Sequence, residues 1–156
     1  MLRNHRRYHW AFLVGPKIEN AEQVRGVRYH AVNPYDTGWK FEKTDLSNVR
    51  MTHNLLARIL IGKIENLERL NTILENVPVT RDDPQWRCRN WIASSLTAIK
   101  KDGKAVGTAQ LDWNQIEETA RRYVAEKTAM GRYQKAENIL GPRPTWDMLD
   151  GKETVA

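Results

Sequence analysis

Three side chains, Cys88, His9 and His30, are of the types from which a thiol-dependent acyl-transfer site is built. Cys88 is the only cysteine. It lies in Asp82-Asp83-Pro84-Gln85-Trp86-Arg87-Cys88-Arg89-Asn90-Trp91, where a proline-marked turn gives way to a helical pattern. A thiol in the first turn of a helix, flanked by Arg87 and Arg89, faces unpaired backbone N–H groups, the positive helix end and two cations, all of which favour the thiolate. The alternative for a lone cysteine is a small buried hydrophobe, so a chemical role depends on a base. His9 and His30 supply candidates, whereas His5 and His53 have no comparable setting.

The two histidines fall on segments that read as strands. Tyr8 to Gly15 is apolar and strand-like and ends at Gly15-Pro16; a second strand is predicted from Gly26 to Asn33. A hairpin that pairs Gly15 with Gly26 sets Ala11 opposite His30 and His9 opposite Val32, so both imidazoles share one face. A slip of one residue would separate them. In that register His9 takes the Cys88 proton and His30 orients it. After the turn Pro34-Tyr35-Asp36-Thr37-Gly38, the alternation of Trp39 to Lys43 predicts a third strand, completing an antiparallel meander.

Beyond the meander, residues 55–64 read as a buried strand and 66–77 as a short helix with Leu67, Leu70, Ile73 and Leu74 on one face. Trp91, Ile92, Ser95, Leu96 and Ile99 recur at helical spacing until Gly103, so Cys88 opens that helix. Asp112 is a candidate N-cap for a last helix with Trp113, Ile116, Ala120, Tyr123 and Val124 inward, closed at Gly131. The expected fold is α+β: an antiparallel sheet of about four strands with helices packed on it. Residues 1–133 are expected to form one catalytic-type domain and 134–156 a linker-like C-terminal tail.

Composition narrows the classes. A single cysteine excludes an intrachain disulfide and, with four histidines, leaves no structural zinc set; no metal and no cofactor are expected. The apolar run from Trp10 to Val14 is too short for a membrane span, and a soluble cytoplasmic protein is the expectation. The chain has no Gly-rich phosphate loop, Walker lysine motif or serine nucleophile elbow. Net charge is +6, from nine Lys/Arg against five Asp/Glu in residues 1–50, seven against five in 51–100, and nine of each thereafter. That excess suits a phosphate-bearing partner. Arg3, Arg6, Arg7, Arg25 and Arg28 are candidate contacts to a nucleic-acid backbone, and a charged, solvated surface is the alternative.

The order of these residues resembles circularly permuted NlpC-type papain-like enzymes, including lecithin:retinol acyltransferase relatives: a histidine opening His9-Trp10-Ala11-Phe12-Leu13-Val14-Gly15, a second in Tyr29-His30, then a cysteine starting Cys88-Arg89-Asn90-Trp91-Ile92. That resemblance implies Cys88 as nucleophile, His9 as base, His30 as third polar member and a thioester acyl-enzyme. A closer similarity, from Tyr8 to residue 131, is to small fungal proteins related to arginine-containing cyclodipeptide synthases, carried by Tyr8 to Lys17, Arg28 to His30 and Asp82 to Trp91. These draw aminoacyl groups from charged tRNA and carry Asp-Asp-x-x-Glu; here Asp82 and Asp83 match and the glutamate position holds Trp86. The resemblance implies aminoacyl-tRNA as partner, with Asp82 and Asp83 holding a guanidinium and Trp86, Arg87 and Arg89 lining the substrate site.

Three functions stand on these residues. The first is acyl or aminoacyl transfer through a Cys88 thioester, most specifically a tRNA-dependent synthesis of an arginine-containing cyclodipeptide. The second is a Cys-His hydrolase, in which water resolves the same thioester. The third is a non-enzymatic RNA- or protein-binding module, although the six tryptophans sit on apolar stripes that also suit a core.

Overall fold

The computed structural model describes residues 7–156. Three strands, β1 (Phe12–Val14), β2 (Gly26–Val32) and β3 (Lys40–Leu46), form an antiparallel sheet in the order β1-β2-β3. β1 pairs with β2 as Phe12 opposite Tyr29 and Val14 opposite Val27, the register inferred from Gly15 and Gly26. Gly26 is required by space: an added Cβ would fall 2.5 Å from Val14 O and 2.7 Å from Val49 Cβ. The β2–β3 connection turns through Pro34–Asp36, with Tyr35 and Asp36 both at φ 55°.

Alternation along the strands sorts their side chains. Phe12, Tyr29, Ala31 and Phe41 face helix α2 (Cys88–Asp102), where the fully buried Trp91 lies 5.8 Å from the Phe12 ring and 5.7 Å from the Phe41 ring. Leu96 and Ile99 continue that apolar face, and the helix ends at Gly103, φ 70°, as the sequence led one to expect. Helix α1 (Leu67–Asn76), capped by the Asn66 side chain on the Arg69 amide, packs beside it through Leu70 and Leu74. Asp112 caps α3 (Trp113–Ala129) by accepting from the Gln115 amide.

The α+β class is as expected, but the strands are divided differently. Residues 55–64 form two short strands, β4 (Arg58–Leu60) and β5 (Gly62–Ile64), because they pair with different partners. β5 pairs with β6 (Val106–Ala109) and β4 with β7 (Thr145–Asp147), so the described residues hold two three-stranded sheets and one two-stranded sheet. The chain from residue 134 is not linker-like: α4 (Ala136–Leu140), β7 and β8 (Lys152–Val155) are built from it, and Arg143, Thr145 and Asp147 are buried. Its polarity hid these elements, since its buried groups are satisfied by hydrogen bonds and not by apolar contact.

Candidate active site

His9 and His30 come together. His30, central in its sheet and 5% exposed, accepts or donates through Nδ1 to His9 Nε2 at 2.8 Å. Its Nε2 lies 3.1 Å from Oε1 of Glu42, its cross-strand partner on β3. Thr44 donates its hydroxyl to the same carboxylate oxygen at 3.3 Å. The chain Glu42–His30–His9 has one direction. A carboxylate can only accept, so His30 carries its proton on Nε2 and presents a lone pair at Nδ1; His9 then donates from Nε2, leaving a lone pair on Nδ1. His9 keeps part of its surface in solvent and makes no other hydrogen bond among the described residues.

Electrostatics keep both rings neutral. Burial, then His30 and the Arg28 charge, lower the His9 pKa to about 4. His30 is lowered mainly by burial, against the opposing pull of Glu42. The His30 hydrogen bond, outweighing burial, holds the Glu42 carboxyl below its ordinary range, so the end of the chain is ionised.

Cys88 is the first residue of α2 and 6% exposed. The turn before it is fixed from several sides: Asp83 accepts from the Gln85 amide, Arg81 donates to Trp39 O, Trp86 meets Trp39 edge-to-face at 5.3 Å, and Asn90 accepts from the Arg87 amide. The backbone N–H groups of Trp10, Arg89 and Cys88 itself favour the thiolate, as does the Arg89 charge. Burial outweighs them and pushes the thiol pKa up. The expectation of a preformed thiolate is therefore reversed, because a helix end stabilises an anion only modestly while removal from water penalises it.

The sulfur and the imidazoles lie on opposite sides of the first sheet. Cys88 belongs to the apolar cluster on the α2 side, whereas His9, His30 and Glu42 share the opposite face. His9 and Trp10, adjacent in the chain, bear on the two sides: the Trp10 N–H favours the Cys88 thiolate, and the His9 ring bonds His30. No hydrogen bond links Cys88 to either imidazole among the described residues. An open cleft of about 330 Å³ beside Arg89 is lined by Asn114, Glu117, Glu118 and Arg121. A larger groove, about 570 Å³, runs between α1 and α2 at Ser94, Ala98 and Asp102, toward the other end of α2 from Cys88.

The remaining site residues have varied settings. Trp86 is a core residue, 8% exposed against Trp39. Arg87 donates to Pro84 O and Trp86 O, bracing its own turn, and Arg89 reaches Glu117 at 3.5 Å. Asp82 is exposed, as is Asp83. Arg7 and Arg25 are exposed; Arg28 is half-buried beside the imidazoles. Arg3 and Arg6 lie outside the described residues. Glu42 escaped the sequence reading, yet a signal was present. Folding the second and third strands about the 33–38 turn, with Val32 opposite Lys40, puts Glu42 opposite His30.

Residues 2–155 match the model of DUF6914, a family of unknown function. The chain is a DUF6914 protein. The match takes in the whole described site, from His9 through Cys88, and the β7–β8 segment. No curated protein and no solved structure matches this DUF6914 chain. Among its described residues no helix is long and apolar enough to cross a membrane, and no cluster of three or more His, Cys, Asp or Glu suits a metal ion.

Proposed function

We propose that this DUF6914 protein is a cysteine-dependent acyltransferase with Cys88 as nucleophile and His9 as base. The observation that carries the reading is the one-way Glu42–His30–His9 chain, which ends in a neutral imidazole on the residue before Trp10, whose backbone N–H favours the Cys88 thiolate. Because the thiol is protonated at rest and His9 is neutral, the pair works by general-base catalysis. His9 Nδ1 takes the thiol proton across the β1 edge, through one water or after rotation of its ring. Sulfur attacks the carbonyl carbon of an ester, the carbon–oxygen bond breaks, and the alcohol leaves with the proton returned by His9. An amine then attacks the thioester, the amide forms and Cys88 leaves as thiol. Backbone N–H groups at the start of α2 face the developing oxyanion.

The narrower reading takes an aminoacyl ester on tRNA, arginyl by resemblance, as donor. Exposed Arg7 and Arg25 and the exposed carboxylates of Asp82 and Asp83 support it. The test is intact mass of wild type and Cys88→Ala after incubation with arginyl-tRNA, together with small-molecule products. An arginyl adduct on wild type alone, with an arginine-containing amide, is the expected result. Free arginine in place of amide identifies the hydrolase. No adduct and no product overturn the thiol chemistry.

A further inference from the structure

Arg28 is the unsatisfied group of the histidine face. It stands two residues before His30 on β2, opposite Leu13 and Thr44. Its Nε is buried with no hydrogen-bond partner, and among the described residues no carboxylate pairs with it; Glu42, on the same face, pairs with His30 instead. Leaving a buried donor unpaired costs free energy, and the Arg28 charge opposes protonation of the two neighbouring bases. Alternation brings only the methyl group of Ala11 to this face between His9 and Leu13.

We propose that Arg28, with the adjoining His9–His30 pair, binds a small oxyanion group of the substrate, a carboxylate or a phosphate. The guanidinium offers a planar donor fork suited to either. Arg28 acts as one anchor inside the site and not as a member of a dispersed basic surface. Bound there, the anion offsets the Arg28 charge at the imidazoles, and both become more basic. Ligand binding thus switches on the base that the resting protein holds weak. The anion site stands whether or not Cys88 forms a thioester; only its link to turnover rests on that chemistry.

The experiment is histidine-ring NMR of the full chain, titrated separately with sodium acetate and with inorganic phosphate, in wild type, Arg28→Gln, Arg28→Lys and Cys88→Ala. Saturable movement of the His9 and His30 signals is expected, with imidazole pKa values that rise on saturation. A response to acetate alone identifies the carboxylate, to phosphate alone the phosphate. Cys88→Ala binds as wild type, so loss of acyl transfer and loss of the anion site are separable. Arg28→Gln weakens binding by about tenfold and raises both imidazole pKa values without any anion. Arg28→Lys keeps them low but loses affinity, and it carries the test if the glutamine variant does not fold. Absence of saturation with both probes, or equal binding by wild type and the Arg28 variants, overturns the proposal.

Discussion

Polar groups are buried at two places in the molecule and are held in opposite ways. On the first sheet, His30 sits in a short chain of side chains, Glu42 to His30 to His9, that stops at an imidazole lone pair with Arg28 unpaired beside it. Around the second sheet the charged groups are spent. Arg143 donates to the carbonyls of Leu55, Ile139 and Gly141, and Arg58 makes a two-pronged pair with Glu19 at 2.6 and 2.9 Å and bonds Thr145. Lys127 and Tyr123 both meet Glu153 on β8, at 2.6 and 2.5 Å. A saturated network fixes chain segments to one another; an open-ended one keeps a group in reserve for a ligand or a proton. Part of the basic charge thus tethers loops, as with Arg50 on the carbonyls of Ala21 and Glu22.

The contrast is broken most sharply at His9. His9→Ala should cost acyl transfer about 10²–10⁴-fold while urea unfolding loses only about 1 kcal/mol, because His9 keeps part of its surface in solvent and makes one side-chain hydrogen bond. A large loss of stability with it would make the histidine chain another structural network. Arg143→Ala should do the reverse: about 3 kcal/mol lost in urea unfolding, from three carbonyls left without their charged donor, with Cys88 alkylation by iodoacetamide unchanged.

Acid separates the regions by pH window. The unfolded chain binds protons at histidine from about pH 6.5, whereas His9 in the folded chain resists down to about 4. The unfolded state therefore takes up more protons across that interval, and stability falls as pH falls through it. Glu153 is held below its ordinary 4.5 by Lys127 and Tyr123, so its contribution is present above 4.5 and lost only below it. Thermal midpoints of wild type and a His9→Gln, His30→Gln double variant should accordingly diverge in slope between pH 6.5 and 4 and run parallel below; parallel slopes throughout would sink this account. A smaller effect is expected for Glu153→Gln, about 1–2 kcal/mol in thermal unfolding at pH 7: the buried Lys127 ammonium loses its carboxylate but keeps an amide oxygen, and a third of the Glu153 side chain faces solvent.

Legibility followed the type of force. Where apolar side chains repeat at strand or helix period, the reading carried through: the Gly15–Gly26 register, the Asn66–Val77 helix region, the Cys88 helix start, the Asp112 cap and the Gly103 stop. The β7–β8 segment was illegible because Arg143, Thr145 and Asp147 are buried through hydrogen bonds to distant carbonyls and amides, which have no periodic signature. Of the site, the His9–His30 pairing was readable from register alone, and Glu42 was one hairpin away from it. The sequence did not foretell that Asp83 also accepts from the Gln85 amide and that Trp86 packs on Trp39, contacts that fix the turn before Cys88.

By itself, then, the sequence determined which residues share a strand face and where the cysteine enters its helix, since both follow from local backbone geometry. Only the tertiary structure decided their protonation and their relative placement. Burial at the start of α2 reverses the local preference for a Cys88 thiolate, burial, His30 and Arg28 hold His9 neutral, and the sulfur stands on one side of a strand with the imidazoles on the other. Those outcomes depend on how much water the neighbouring elements exclude, a quantity set by packing between segments far apart in the chain.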